Sequence, residues 1–262
     1  MPNELGEFLR ARRTDAGLAP PHHDDANRRR STGLRREEVA AASGISVDYY
    51  TRLEQGREAH PSDSVLNALA RVLCLPPDAC EHLYRLRGPH PLTARGQRDD
   101  AGLLRERMTA IVTAVRPNPA YVLDRLSNMV AANAEGLDLY SGFADREPQD
   151  RNTLRYLMTD SRAQQIFVEW EEIARGAVAH LRAANADDLQ DPELHTFVTE
   201  LQARSPLFAE WWSGHLVERR RTSITHIRTG KGIVARRHEV FYLPEDGLRM
   251  TLWITGTSSE SL

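Results

Sequence analysis

The stretch GLRREEVAAASGISVDYYTRLEQGR, residues 33–57, decides the fold of the first third of the chain. It predicts two short helices, Arg35–Ser43 and Ser46–Gln55, that meet at Gly44. A glycine at this point allows the left-handed backbone that a sharp turn between two helices requires. The stretch therefore predicts a compact helix-turn-helix unit.

The second helix of this pair has two different faces. Tyr50 and Leu53 share one face and, together with Ile45, are expected to point into a core. A small, hydrogen-bonding opposite face suits the DNA major groove, where arginine binds guanine and a valine methyl group contacts a thymine methyl group. An ordinary helical hairpin with a solvated face is the alternative. The residues on the opposite face are Val47, Asp48, Thr51, Arg52 and Gln55.

Three further helices are predicted around this pair, at 4–17, 62–73 and 77–87. Ser46 and Ser62 stand where helices need an N-cap, and glycines follow several of the predicted helix ends. The arginine-rich loop before residue 33 breaks the helical periodicity. The first domain is therefore predicted to be all-α with five helices, over residues 1–88.

The remainder of the chain is predicted to contain both strands and helices. Residues 89–103 include a Pro- and Gly-rich segment and are predicted to be a linker, and a second domain is expected over 104–262. Short strands are predicted at 121–124 and 128–133, with three more at the end of the chain (222–228, 233–243 and 248–256). A helix near 133–140 and long helices near 152–184 and 192–220 lie between them. This order predicts an α+β domain with an antiparallel sheet.

Composition sets the class of protein. The 262 residues carry a net charge of −3, 27% charged residues and two cysteines. The first residues lack the apolar core of a secretory signal, and no apolar run is long enough for a membrane span. We therefore predict a cytoplasmic protein that does not contact a membrane.

Enzymatic and metal-binding functions are not favoured. The sequence HHDD at 22–25 collects two imidazoles and two carboxylates, but adjacent residues rarely complete a coordination sphere. No nucleophile motif or phosphate-binding glycine loop is present. We predict neither catalysis, nor a metal, nor a cofactor.

Residues 4–88 resemble the helix-turn-helix domain of the Xre and phage-repressor family. The match is carried by EEVAAASGISVDYYTRLEQGR and by VLNALARVLCL. The first of these contains the turn glycine, the serine cap and the sequence Leu-Glu-Gln-Gly at the end of the second helix of the pair. The resemblance implies that Val47, Asp48 and Arg52 read bases, and that an internal salt bridge joins Arg13 to Glu54. For Asp48, support of the helix dipole is an equal alternative. The predicted DNA-binding residues are Arg28, Arg29, Arg30, Arg35, Arg36, Ser46, Val47, Asp48, Thr51 and Arg52.

Nearly the whole chain resembles the MmyB-like regulators. The resemblance is carried by NPAYVLDRLSNMVAANAEG (118–136), VEWEEIARGAVAHLRA (168–183) and DPELHTFVTELQARSPLFAEWW (191–212). It implies a dimeric transcription regulator that binds a double-stranded DNA operator and whose PAS-like second domain holds a small hydrophobic ligand, such as a fatty acid. For each of the aromatic residues, plain core is the favoured alternative. The predicted ligand-binding residues are Asn133, Arg162, Trp170, Phe208, Trp211, Trp212 and His215.

One departure from that family keeps an alternative open. Family members carry a lysine and a His-Pro pair before the last sheet, whereas here His226 is not followed by proline. The second domain could therefore be a dimerisation or protein-interaction module without a ligand. A third interpretation, a partner-binding antitoxin-like protein, fits the large second domain less well.

Overall fold

The computed structural model describes residues 3–16, 33–58, 60–87, 101–186, 188–230, 232–243 and 246–254. The chain forms two compact units. The first comprises Met1–His90 with the short segments Ala186–Leu189 and Ser213–Glu218, and the second comprises Pro91–Asn185, Gln190–Trp212 and Arg219–Leu262. No helix in the described ranges has the length and apolar character that crossing a bilayer requires.

The first unit contains the five predicted helices, which are α1 (Glu4–Asp15), α2 (Arg36–Ser43), α3 (Val47–Glu54), α4 (Asp63–Val72) and α5 (Pro77–Leu86). The two predicted serine caps are confirmed, because Ser46 Oγ accepts a hydrogen bond from the Tyr49 N–H and Ser62 Oγ from the Val65 N–H. Gly44 ends α2 with φ of +69°, the left-handed conformation that the turn requires.

Close packing of α1 on α3 holds this unit together. A Cβ atom at Gly6 would lie 2.5 Å from the Glu54 carbonyl oxygen and 2.8 Å from that of Leu53, so only glycine permits this approach. The core is built from aliphatic and aromatic side chains of all five helices. Its fully buried members include Leu5, Phe8, Leu9, Val39, Tyr50, Leu53, Leu66, Leu69 and Leu83.

The second unit is built on an antiparallel five-stranded sheet with the strand order β2-β1-β5-β4-β3. The strands are β1 (Ala120–Leu123), β2 (Met129–Ala132), β3 (Ser223–Thr229), β4 (Gly232–Leu243) and β5 (Leu248–Ile254). The predicted strands, and with them the α+β class, are confirmed. The helices are α6 (Ala101–Ala114), α7 (Ala134–Asp138), α8 (Thr153–Thr159), α9 (Ser161–Ile166), α10 (Trp170–Ala184), α11 (Pro192–Arg204) and α12 (Pro206–Ser213).

The prediction of two long helices at 152–184 and 192–220 was wrong. Asp160 separates α8 from α9, because its side chain caps the new helix by accepting from the Arg162 N–H. Phe167 leaves the helical path to form a β-bridge with Ile227. Pro206 lacks an N–H group and so starts α12, and α12 ends at Ser213 rather than continuing to 220. Helix α6 was not predicted and begins at Ala101, inside the segment interpreted as a linker.

The two faces of the sheet have different surroundings. On the outer face, Met108 and Val112 of α6 pack against Val122 and Met250, which covers β1 and β5. Directly paired residues of an antiparallel sheet share a face, so the register places the outer residues of β3 and β4 beside this covered area. There Ile224, Ile233 and Phe241 are 65%, 61% and 50% exposed. The inner face carries polar residues and borders a cavity.

Candidate functional site

The exposed face of α3 presents the side chains predicted to read bases. Arg52 is 48% exposed at its side chain, and its Nε lies 3.7 Å from Asp48 Oδ2, one helical turn earlier. The Arg52 guanidinium also lies over the Tyr49 ring, 5.8 Å from its centroid. Two neighbours on the same helix therefore hold Arg52 at the surface. Val47 is exposed beside them, and Thr51 is partly exposed.

A buried ion-pair cluster lies at the C-terminal end of α3. Glu54 is fully buried, and its carboxylate accepts hydrogen bonds from Arg13 Nε at 2.6 Å and from Arg36 Nε at 2.7 Å. The predicted Arg13–Glu54 pair is thus present. Arg36, which was predicted to contact phosphate, has this structural contact in addition and remains partly exposed. Burial raises the pKa of Glu54, but the hydrogen bonds and charges of the two arginines outweigh this effect and lower that pKa overall.

The other predicted DNA-binding residues fall into two groups. Arg35 is exposed just before α2, and its backbone N–H donates to Glu38, which fixes the start of that helix. The Ser46 hydroxyl caps α3. Arg28, Arg29 and Arg30 lie outside the described residues.

A cavity lies in the second unit against the inner face of the sheet. Its volume is about 30 Å³. Polar side chains line one part of it and apolar side chains the other. The polar or amphipathic residues are Tyr121, Tyr140, Thr153, Arg220, Thr225, His238, Arg249, Thr251 and Trp253, and the apolar ones are Leu123, Leu157, Phe167, Ile173, Ala177 and Val240.

Arg249 is the most unusual residue of this cavity, because it is charged and only 6% exposed. Its Nη2 donates to Ser127 Oγ at 3.2 Å, while its Nε and Nη1 have no hydrogen-bond partner among the described residues. Burial and, after it, the charge of Arg220 lower the pKa of Arg249 to about 10. Arg249 is therefore still a cation near neutral pH.

Two further titratable groups of the cavity, His238 and Tyr140, are neutral near pH 7. Burial, followed by the charge of Arg220, lowers the pKa of His238 to about 4, which leaves the imidazole uncharged. The Tyr140 hydroxyl donates to the Tyr121 hydroxyl at 2.9 Å, and burial raises the pKa of Tyr140. The two arginines are thus the cations of the described lining.

Comparison with known protein families identifies the chain. Residues 104–261 match the family of the MmyB-like transcription regulator ligand binding domain. The chain belongs to the MmyB-like transcription regulators. Residues 4–83 of this regulator match a helix-turn-helix domain family. A search of curated proteins gave no match. The MmyB-like regulator is therefore a DNA-binding transcription regulator with a ligand-binding domain, and not an enzyme.

The ligand-binding residues predicted for this MmyB-like regulator are not among the described residues that line the cavity. Asn133 is fully used in local structure: its Oδ1 accepts from the N–H groups of Ala120 and Gly136, and its Nδ2 donates to the carbonyls of Val112 and Asn118. These bonds join β1, α6 and α7, and a part for Asn133 in ligand binding stays a prediction.

The other six predicted residues also lie outside the described cavity lining. Arg162 forms an ion pair with Asp160 at 2.6 Å, and the Trp170 indole N–H donates to the Leu157 carbonyl. Phe208 stacks on Trp212, whose ring in turn lies 4.0 Å from the Arg182 guanidinium. Trp211 is buried in the helical layer, and His215 lies in the segment Ser213–Glu218, which belongs to the first unit.

Sequence analysis missed Arg220, His238 and Arg249, although strand β5 carried a signal. Along β5, Arg249, Thr251 and Trp253 alternate with apolar residues. Such alternation places the three side chains together on one face of the sheet. An arginine on the inward face of a strand near the chain end was the detectable feature.

Proposed function

We propose that this MmyB-like regulator binds a pseudo-palindromic operator as a homodimer and responds to a small hydrophobic ligand, such as a fatty acid, bound in its second domain. The helix-turn-helix domain covers residues 1–88, and the ligand-binding domain covers 104–262 after a linker at 89–103. The observation that carries the proposal is the exposed, pre-positioned Arg52 on α3.

Direct reading of DNA by α3 fits the chemistry of its exposed face. Arginine is the side chain that most often binds guanine in the major groove, through two parallel hydrogen bonds. The contacts with Asp48 and Tyr49 reduce the number of orientations that Arg52 samples before it meets DNA. Val47 offers a methyl surface beside it, and we assign phosphate contacts to the exposed Arg35 and the partly exposed Arg36, with Arg28, Arg29 and Arg30 as further candidates.

The homodimer is supported by the uncovered part of the sheet. The outer-sheet patch, defined as Ile224, Ile233 and Phe241, comprises three exposed apolar side chains on two neighbouring strands, and the Arg237–Glu239 ion pair lies between them. Uncovered surfaces that combine exposed apolar side chains with polar ones are typical of protein interaction sites. A two-fold dimer uses the same patch on both chains, and each patch would then cover the other. The same patch favours, as a second candidate, a second domain that contacts another protein and takes no ligand.

A ligand effect on DNA binding requires a difference between two arrangements of the dimer. A ligand shifts such an equilibrium only as far as its affinities for the two arrangements differ. Two half-sites lie on the same side of a duplex when their centres are about 34–36 Å apart. A change in the spacing of the two α3 helices would therefore alter operator affinity.

Selection of binding sites from random duplex DNA tests the dimer. The full chain is expected to select paired half-sites with centres about 10 base pairs apart. Phe241→Glu places a charge in the outer-sheet patch, and this variant is expected to sediment as a single chain and to bind the selected operator more weakly. Leu207→Glu, which alters an exposed apolar residue of α12, serves as the matched control and should remain dimeric. Selection of single half-sites, or a dimer unchanged by Phe241→Glu, would contradict this arrangement.

A further inference from the structure

The cavity contains a positive charge that the protein itself does not neutralise. Arg249 is buried, and the largest influences on its pKa after burial come from Arg220 and three tyrosines. Within the described ranges, no acidic side chain forms an ion pair with Arg249 or Arg220. Buried charges in proteins are normally paired, because an unpaired one costs several kcal/mol of folding free energy.

Most of the unused hydrogen-bonding groups of the cavity are donors. Nε and Nη1 of Arg249 and Nε1 of Trp253 are buried N–H groups without a partner among the described residues, and Nδ1 of the neutral His238 ring is a further buried atom of the lining without one. Neither guanidinium nor indole N–H can accept a hydrogen bond. A molecule that satisfies these groups must therefore offer acceptors, and a negative charge on those acceptors would also balance Arg249.

The opposite part of the cavity sets the size and polarity of the rest of the molecule. Leu157, Phe167, Ile173 and Ala177 form an apolar wall supplied by α8, α10 and the chain between them. A cavity of about 30 Å³ holds two or three water molecules, which is room for a carboxylate group. A short apolar body requires this wall to move outward, and a long acyl chain requires a larger movement of the same helices.

We propose that the cavity binds a small carboxylate with a short apolar body, and that Arg249 holds its carboxylate group. Arg220 supplies a second positive charge, and the Trp253 N–H a further donor. The apolar body lies against Phe167 and Ile173. This inference rests on the proposed function, in which the second domain takes a small-molecule effector, and it names the chemical class of that effector and the residue that selects it.

The stability of the ligand-free protein gives the first test. All four tryptophans (Trp170, Trp211, Trp212 and Trp253) lie in the second unit, so tryptophan fluorescence follows its unfolding. Arg249→Met removes an unpaired buried charge and keeps an apolar side chain, so we expect the melting temperature to rise by about 2–4 °C. Arg175→Met, at an exposed arginine of α10, is the matched control and should change it by less than about 1 °C. A lower melting temperature for Arg249→Met would show a structural arginine and overturn the inference.

Ligand binding gives the second test, with benzoate and hexanoate as probes and benzamide and hexanamide as their uncharged counterparts. We expect the two carboxylates to raise the melting temperature of the wild-type chain and of Arg175→Met, and to leave Arg249→Met unchanged. The amides should leave all three unchanged. A carboxylate effect that survives in Arg249→Met would overturn the assignment of Arg249.

Failure of this inference can be told apart from failure of the proposed function. If hexadecanol and palmitate stabilise the wild type and Arg249→Met alike, the domain takes a hydrophobic ligand and only the inference about a short carboxylate is overturned. If none of these compounds binds, the melting temperature of ligand-free Arg249→Met still shows whether the unpaired Arg249 charge destabilises the protein, as the inference requires.

Discussion

Replacement of Glu54 by alanine is expected to lower the free energy of unfolding of the first unit by about 3–5 kcal/mol. The carboxylate is fully buried and pairs with Arg13 and Arg36, so its removal leaves two guanidinium groups without their counter-charge. Because the tryptophans lie in the second unit, the loss should move the unfolding transition seen by circular dichroism and leave the tryptophan transition in place. Glu37→Ala, an exposed carboxylate at the start of α2, is the control.

The same cluster makes the first unit sensitive to acid. The folded-state pKa of Glu54 is lowered overall, below the value of about 4.3 that glutamate has in an unfolded chain. A lowered pKa means that the stabilisation is complete above about pH 5 and is lost as the pH falls through 4. The Glu54→Ala protein should therefore lose less stability than the wild type over this range. Equal losses, or a cost below about 1 kcal/mol at pH 7, would show that the cluster is not what holds α1, α2 and α3 together.

Replacement of Arg52 by alanine is expected to cost about 1–3 kcal/mol of operator binding, confined to one base position in each half-site. Arg52→Lys keeps the positive charge but lacks the two parallel N–H donors of the planar guanidinium group. We therefore expect this variant also to lose most of its base preference. Binding to the selected operator and to its single-base variants, measured at one salt concentration, gives both quantities. Arg175→Ala, an exposed arginine of α10, is the matched control.

A different pattern would assign Arg52 another role. Uniform weakening across all base variants, with a salt dependence reduced by about one phosphate contact, would show that Arg52 contacts the DNA backbone. Unchanged affinity and preference would remove α3 from the interface. In either case the base contacts would have to come from other residues.

The helix-turn-helix unit could be predicted from sequence because its signals are local. Ser46, Gly44 and Ser62 act within one turn of their own helices. The spacing of apolar residues by three or four positions indicated where the five helices lie. The Arg13–Glu54 pair, which joins distant positions, came from the family resemblance and not from spacing. The additional contact of Arg36 with Glu54 depends on the packing of α2 on α3, which no short sequence pattern specifies.

The ligand cavity could not be predicted in the same way. Arg249 and His238 border the same cavity because of the β4–β5 register, and Arg220 joins them from a segment without regular structure. Sequence reasoning favoured Arg162 and Asn133, but these residues have close partners such as Asp160 and Gly136. A chemically suitable residue is informative about a site only when its nearest partners are known.

Mass spectrometry of the purified full-length protein tests the central claim, that a small molecule bound in the second domain accompanies a dimeric DNA-binding regulator. We expect a native mass of two chains plus two copies of a small acid, which denaturation releases and which Arg249→Met does not retain. Two bare wild-type chains, with a melting temperature unchanged by either short or long carboxylates, would contradict the sensor account. That result would favour a second domain that contacts a protein partner.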